Sequence, residues 1–308
     1  MRALVTGGAG FIGSHIADAV EGQGWQVVIL DDLSTGRDEN LEGSGAELIK
    51  GDVCDREACL AATEGVEVVF HLAAARAVGL SVTDPVTSDR VNTGGTVNLL
   101  TAARDNGVRR VIIASSSSVY GGVAPLPTPE DAPLYPKSPY AVSKMASETY
   151  CRVFSELYGI ETVVLRFFNV YGPRQHPRSP YAAAIPLFVE ALLKGDAPTI
   201  HGDGLQSRDF TFVEDVVNAN LAAAKVPEAA GRPYNIAAGR QHTILDLIAA
   251  IQSVLGTEIE PVHTDPRPGD VRASCADASR AEEELGWRAQ VGFEDGLRRT
   301  IEWLRDQN

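Results

Sequence analysis

Short apolar runs recur along this chain: ALV near the start, then VVIL, VEVVF, VIIA and TVVLR. The stretches between them carry apolar residues at helical spacing. Strands that alternate with helices pair in parallel, because each helix carries the chain back to start the next strand in the same direction. Helices then cover both faces of the sheet, so its strands read as unbroken apolar runs instead of alternating ones. The pattern predicts an α/β fold built on a doubly wound parallel sheet. From about Tyr171 the texture changes. The segment YGPRQHPRSPYAAAIP reads as a shaped loop, and mixed short helices and strands follow it. We expect residues 1–168 to form the sheet domain and residues 169–308 a smaller α/β lobe. A strand near 233–236 is expected to rejoin the main sheet, and a last helix near 293–305 to close the chain.

The first strand runs straight into TGGAGFIG, which places Gly7, Gly10 and Gly13 between a strand and a helix. Glycines there permit a tight turn and let a pyrophosphate approach the open N–H groups of the helix start. Asp31 follows at the end of the second apolar run, close to the ~20-residue spacing at which a carboxylate accepts from adenosine ribose hydroxyls. The same carboxylate repels a 2′-phosphate and so favours NAD over NADP. This motif makes the sheet domain Rossmann-like. Asp52, in KGDVCD, reads equally as a contact to the adenine amino group and as a turn or helix-capping residue.

With 308 residues, 44% of them apolar and 22% charged, the chain is long enough to bury a large core. A formal charge of −14 argues against a nucleic-acid or anionic-membrane surface, both of which need clustered Lys and Arg. A small anion held by a few local arginines stays compatible with it. Cys54, Cys59, Cys151 and Cys275 form no CxxC pair and no metal-ligand spacing with histidine, so inert thiols in a reducing cytoplasm and no metal site are expected. With the strand-like MRALVTGG at the start no signal peptide is expected, and no apolar run approaches the ~18 residues of a membrane helix.

Tyr140 and Lys144 stand four apart in SPYAVSK. Four residues on a helix rise about 6 Å and project from one face. An ammonium beside a phenol favours the phenolate, lowering a pKa of about 10. The pair can then accept a proton from an alcohol or sugar hydroxyl near neutral pH.

TGGAGFIGSH, HLAA, ASSSSVYG, SPYAVSK and RFFNVYGPRQ, taken in this order, resemble the extended short-chain dehydrogenase/reductase superfamily. Within it the chain is most similar to the NAD-dependent UDP-sugar 4-epimerases, the UDP-glucose 4-epimerase-like group. Later segments carry the likeness to the end of the chain: HGDGLQSRDFTFVEDV, RPGDV and ADAS. The resemblance implies tightly bound NAD, a UDP-sugar substrate, and a cytoplasmic homodimer paired through helices near 85–105 and 139–158. It makes Tyr140 the base that takes the 4-hydroxyl proton while carbon 4 is oxidised. Lys144 holds the nicotinamide ribose, and Ser116 passes a hydrogen bond between sugar and phenol. The 4-keto sugar turns its other face and is reduced again, which inverts only carbon 4.

For the cofactor the resemblance further implies contacts from Phe11, Ile12, Asp32 and Ser34, and from Val53, Leu72, Ala73, Ala74 and Ser115. Asn92 matches the family asparagine near the catalytic serine, or is an ordinary helix asparagine. Arg76 stands where relatives carry a basic residue near the phosphates, or is a solvated surface arginine. For the substrate it implies Arg208 and Arg267 on the diphosphate, Asn169 on a phosphate or sugar hydroxyl, and Asp270 on the nucleotide ribose. Ala183, Ala184 and Ile185 meet the base edge, Gln206 lies in the same pocket, and His201 lies under the base or in the core. Ser274 falls where a bulky tyrosine can bound the space at carbon 2, leaving room for an N-acetyl group. Ser117 and Ser118 offer hydroxyls to a carboxylate at carbon 6. The epimerase of UDP-glucose and UDP-galactose is the preferred reading, with UDP-N-acetylglucosamine or UDP-glucuronic acid as the alternative. Dehydratases and decarboxylases carry an acid where this chain has Ser118, and a non-catalytic NAD sensor need not keep both Tyr140 and Lys144.

Overall fold

The computed structural model describes residues 1–75, 78–175, 184–266 and 271–307. Strands β1 (Arg2–Thr6), β2 (Gln26–Asp31), β3 (Glu47–Lys50), β4 (Val68–His71), β5 (Arg110–Ser116) and β6 (Glu161–Phe167) come first in the chain. The short strands β7 (Val170–Tyr171), β8 (Thr199–His201), β9 (Ser207–Asp209) and β10 (Thr211–Phe212) follow. After them come β11 (Arg232–Ile236), β12 (Gln241–Thr243) and β13 (Val262–Thr264). Seven strands make one parallel sheet in the order β11-β6-β5-β4-β1-β2-β3. Strand order reverses between β1 and β4. Doubly wound sheets open a ligand crevice at that reversal, beyond the carboxyl ends of the strands.

The helices are α1 (Phe11–Gly22), α2 (Arg56–Ala62), α3 (Val78–Thr83), α4 (Pro85–Asp89), α5 (Gly95–Asp105) and α6 (Pro139–Tyr158). Beyond β7 come α7 (Ala184–Leu193), α8 (Val213–Lys225), α9 (Ile244–Leu255), α10 (Ser279–Leu285) and α11 (Phe293–Asp306). Alternate strand residues bury on opposite faces. Ala3, Val5, Val27, Ile29, Val68 and Phe70 join a core with α1 and α8, whereas Leu4, Val28, Leu30 and Val69 join one with α2, α5 and α6. This double covering is what makes the strand sequences continuously apolar. A third core unites α7, α9 and α11 around Leu192, Leu247, Ile251 and Leu297.

Two local features place the site. Helix α6 starts where Ser138 accepts from the Ala141 N–H at 3.1 Å and Pro139 occupies the first turn, and it stops at Gly159 with φ 72°. Both are strong boundary signals. The helix expected near 85–105 is instead interrupted. Arg90–Gly94 forms one widened π turn between α4 and α5, and the Asn92 side chain leaves this turn for Ala75 and Ser143. All four cysteines are free; Cys59, Cys151 and Cys275 are buried and Cys54 partly so. No helix among the described residues is long and apolar enough to cross a membrane.

Candidate active site

The glycine turn is shaped by what it excludes. Gly7 has φ 68°, and a Cβ there would lie 2.8 Å from the Ala73 nitrogen. A Cβ on Gly13 would lie 2.8 Å from the Gly7 carbonyl carbon and 2.9 Å from the Gly8 Cα, so α1 starts hard against the turn. Gly10 caps α1 without a side-chain hydrogen bond, which leaves the first N–H groups open to an anion. Across the turn, Asp31 accepts from the Ala9 and Leu33 N–H groups, each at 2.9 Å. Burial pushes its carboxyl upward and the two backbone donors oppose this. An open helix start walled by glycine, with a buried carboxylate at the end of β2, fits a dinucleotide's pyrophosphate and adenosine ribose.

Around this turn the expected cofactor residues take different places. Asp32 accepts from the Ser34 N–H at 2.9 Å and its hydroxyl at 2.6 Å, which folds that corner. Asp52 accepts from the Cys54 N–H at 2.8 Å and lies 3.5 Å from Arg90, so the turn alternative describes one of its oxygens. Val53 is buried beneath Gly95, and Leu72, Ala73 and Ala74 follow β4 half-buried. Phe11 and Ile12 open α1, with Phe11 buried. Arg76 lies outside the described residues.

Lys144 is buried, and its Nζ donates to the Ala114 carbonyl at 2.8 Å while lying 5.9 Å from the centroid of the Tyr140 ring. Burial pulls its pKa down to about 8, against the pull of the Glu148 carboxylate. Ala114 is two residues before Ser116, so this bond holds the end of β5 against the face of α6 that carries Tyr140. Ser116 caps the short turn Ser117–Tyr120, accepting from the Ser118 N–H at 3.2 Å. The Ser118 Oγ is buried with no hydrogen-bond partner.

Ser115 and Asn92 are both tied to α6. Ser115 stands beside Ser116 on β5, and its hydroxyl donates to Glu148, because successive strand residues face opposite sides of the sheet. Asn92 is buried: its Oδ1 accepts from the Ala75 N–H at 2.7 Å, and its Nδ2 donates to the Ser143 Oγ at 3.0 Å. Its amide therefore fastens the segment after β4 to α6.

A cavity of about 290 Å³ opens beside the third core. It gathers Asn169, Ala184, Ile185, His201, Gln206 and Arg208 from separate segments, with Tyr171, Phe188 and Phe210 as apolar walls. Asn169 adopts φ 25°, and its Nδ2 donates to the Asp209 carbonyl at 3.2 Å and the Ser274 Oγ at 3.3 Å. Ser274 thus borders the cavity through Asn169 without lining it. Gln206 donates to the His201 carbonyl at 2.8 Å, and the His201 ring bonds Thr264 at 2.9 Å from a half-buried position on the wall, not in the core. The Arg208 Nη1 donates to the Ser207 carbonyl at 2.8 Å. Ala183, Arg267 and Asp270 lie outside the described residues.

Two carboxylates escaped sequence reasoning. Asp209 is fully buried and accepts from the N–H groups of Ala238 at 3.0 Å and of Gly239 and Ala276 at 3.1 Å, with its carboxyl pushed up to about 6 by burial. It pins the Ala238–Gly239 segment to Ala276, two residues beyond Ser274. Its signal was a carboxylate directly before the aromatic alternation FTF in SRDFTF. Glu148 is the other, one turn beyond Lys144 on α6.

Known proteins bear on this arrangement in three ways. The NAD dependent epimerase/dehydratase family matches residues 3–237. A UDP-glucose 4-epimerase of Mycolicibacterium smegmatis is 43% identical over 314 residues, covering 100% of both chains. The structure of a UDP-glucose 4-epimerase with UDP-glucose from Thermotoga maritima superposes with TM-score 0.96 at 39% identity, over 100% of this chain and 99% of the other. A UDP-N-acetylglucosamine 4-epimerase from Methanobrevibacter ruminantium, in complex with UDP-N-acetylmuramic acid, superposes with TM-score 0.95 at 40% identity over the same shares. This chain belongs to the NAD-dependent epimerase/dehydratase family, and NAD is the cofactor of that family.

Proposed function

We propose that the chain is a UDP-sugar 4-epimerase that inverts carbon 4 of a UDP-hexose of the UDP-glucose/UDP-galactose type through a transient 4-keto sugar. The observation that carries this reading is the buried Lys144 ammonium, fixed to β5 two residues before Ser116 and set beside the Tyr140 ring. A desolvated cation there favours the phenolate of Tyr140. Tyr140 then accepts the proton of the 4-hydroxyl, and Ser116, which can both donate and accept, passes a hydrogen bond between the two. NAD, when bound, supplies reversible oxidation at carbon 4. Gly7, Gly10 and Gly13 hold its pyrophosphate and Asp31 its adenosine ribose. Arg208 takes the substrate diphosphate, since a planar guanidinium suits bidentate phosphate contact. The cavity walled by Ala184, Ile185 and His201 takes the base.

Elimination of water needs a positioned acid. Ser118 sits where dehydratases carry theirs, which supports epimerisation over dehydration or decarboxylation. A non-catalytic NAD sensor has no use for the Lys144–Tyr140 arrangement. Two further substrates have a specific observation behind them. The small Ser274 beside Asn169 suits UDP-N-acetylglucosamine, and the unpartnered Ser118 Oγ suits the carboxylate of UDP-glucuronic acid. The active form we propose is a homodimer. Val82, Val86, Val142, Tyr150 and Leu157 expose apolar side chains on α3, α4 and α6, which pack against one another, and pairing through α6 buries such a patch.

The test is a panel of UDP-glucose, UDP-N-acetylglucosamine and UDP-glucuronic acid, compared by kcat/KM. The 4-epimer is expected with flat absorbance at 340 nm, and UDP-glucose is expected to be the best substrate. Lasting NADH would mark a dehydrogenase, and loss of water from the sugar a dehydratase.

A further inference from the structure

One face of α6 carries a third functional group at the spacing of the first two, with Tyr140, Lys144 and Glu148 on successive turns. The Glu148 carboxylate is buried and clasped by Arg166, whose Nε donates to Oε1 at 3.0 Å and Nη2 to Oε2 at 2.7 Å. Its Oε1 also accepts from the Ser115 hydroxyl. Arg166 continues the network through Nη1 to the Tyr120 hydroxyl at 2.8 Å and the Glu130 carbonyl at 2.9 Å. A buried ion pair of this kind is poor evidence for stability, since apolar residues often do as well in its place. What calls for explanation is its location. Ala114 accepts from Lys144 and Ser115 donates to Glu148, so two consecutive residues of β5 are tied to two consecutive turns of α6, immediately before Ser116.

The titratable groups around Lys144 divide simply. On α6 are Tyr140, Glu148 and the Cys151 thiol, which burial keeps neutral. On β4 is His71, held neutral by burial, with its pKa down to about 3. On β6 is Arg166, which is paired with Glu148 and offsets part of its charge. Glu148 is the one anion of the set.

We propose that Glu148 is a positioning residue for proton transfer at Tyr140: through Ser115 it holds the strand end that carries Ser116 against α6, and its carboxylate keeps Lys144 an ammonium ion. The role in catalysis rests on the epimerase reading above. The charge coupling to Lys144 does not. Burial drives Lys144 toward its neutral form and Glu148 opposes that drive. Without the carboxylate a larger share of Lys144 is neutral near pH 7, and Tyr140 has the cation beside it for a smaller fraction of the time.

The chain has five lysines, and Lys144 alone is buried; Lys50, Lys137, Lys194 and Lys225 are exposed. Protein with its cofactor retained and its lysines labelled with carbon-13 at Cε therefore yields one perturbed titration by NMR. In wild type that inflection is expected well below the ordinary lysine value, because Lys144 is buried. In Glu148→Gln it should move down by about one unit, and in Glu148→Asp, which keeps the charge, it should return toward wild type. Ser115→Ala is the milder change and tests the tie to β5. It should lower kcat roughly tenfold, with KM and the Lys144 inflection unmoved, as expected for loss of a hydrogen bond to a charged group. A Lys144 inflection that stays in place in folded Glu148→Gln, or wild-type kcat in Ser115→Ala, overturns the proposal. A wild type that shows the inflection and its shift yet converts no UDP-sugar supports the coupling and removes the epimerase reading instead.

Discussion

Gly13→Ala adds one methyl group at the point where α1 meets the nucleotide turn. Its Cβ would stand 2.8 Å from the Gly7 carbonyl carbon and 2.9 Å from the Gly8 Cα, whereas ordinary contact lies at 3.4–4 Å. All of these are backbone atoms, so no side chain can swing aside, and the turn or the helix start must move by about half an ångström or more. The Gly7 carbonyl also accepts from the Gly10 N–H at 3.1 Å, the bond that closes the turn. Overpacking of this kind costs about 1–3 kcal/mol of stability. The displaced N–H groups lose charge-assisted bonds to a pyrophosphate, at about 1.5–3 kcal/mol each, so loss of one bond should weaken NAD binding roughly ten- to 150-fold. Gly22→Ala is the control: it makes the same change on the same helix, and a Cβ there meets nothing within 4 Å. That variant should be neutral, or more stable by up to about 1 kcal/mol. The assay is NAD content of the purified proteins, calorimetric NAD affinity and thermal unfolding, measured side by side. Gly13→Ala with the NAD affinity and Tm of Gly22→Ala would refute the steric argument for this turn.

Tyr140→Phe should lower kcat by about 10²–10⁴ while fold and bound NAD persist, and a loss of only a few-fold removes Tyr140 as the base. Asp31→Ala deprives the Ala9 and Leu33 N–H groups of their acceptor as well as the ribose. Calorimetric titrations should therefore show weaker NAD binding and relaxed discrimination against NADP, and unchanged selectivity would take Asp31 off the ribose. Ser274→Tyr should depress kcat/KM for UDP-N-acetylhexosamines roughly ten- to hundredfold more than for UDP-hexoses, the cost of overfilling a formed pocket. Equal losses on both would mean that Ser274 does not face carbon 2.

What was legible in the sequence was local or periodic. The runs ALV, VVIL and VIIA read directly as strands because both sheet faces are covered, and Gly7, Gly10 and Gly13 read as a turn because their spacing is contiguous. Tyr140 and Lys144 were visible because four residues is one helical turn. Strand alternation does not say which group a hydroxyl meets, so the bond from Ser115 to Glu148 could not be read in the sequence. Glu148 and Arg166 went unnoticed because they come from different elements, and nothing in an amphipathic helix or in TVVLRF marks a charge as paired inside the core. The break of the helix at Arg90–Gly94 was hidden for a related reason: it is fixed by the contacts of Asn92 with Ala75 and Ser143 and not by a proline or capping residue.

In the proposed reaction carbon 4 loses and regains its own hydrogen, and Tyr140 moves only the hydroxyl proton. The direct measurement is turnover of UDP-glucose in deuterium oxide, with the product read by mass spectrometry and NMR. The expected product is UDP-galactose with no deuterium on any sugar carbon. Deuterium at carbon 4, or at a neighbouring carbon through enolisation or loss of water, would contradict it.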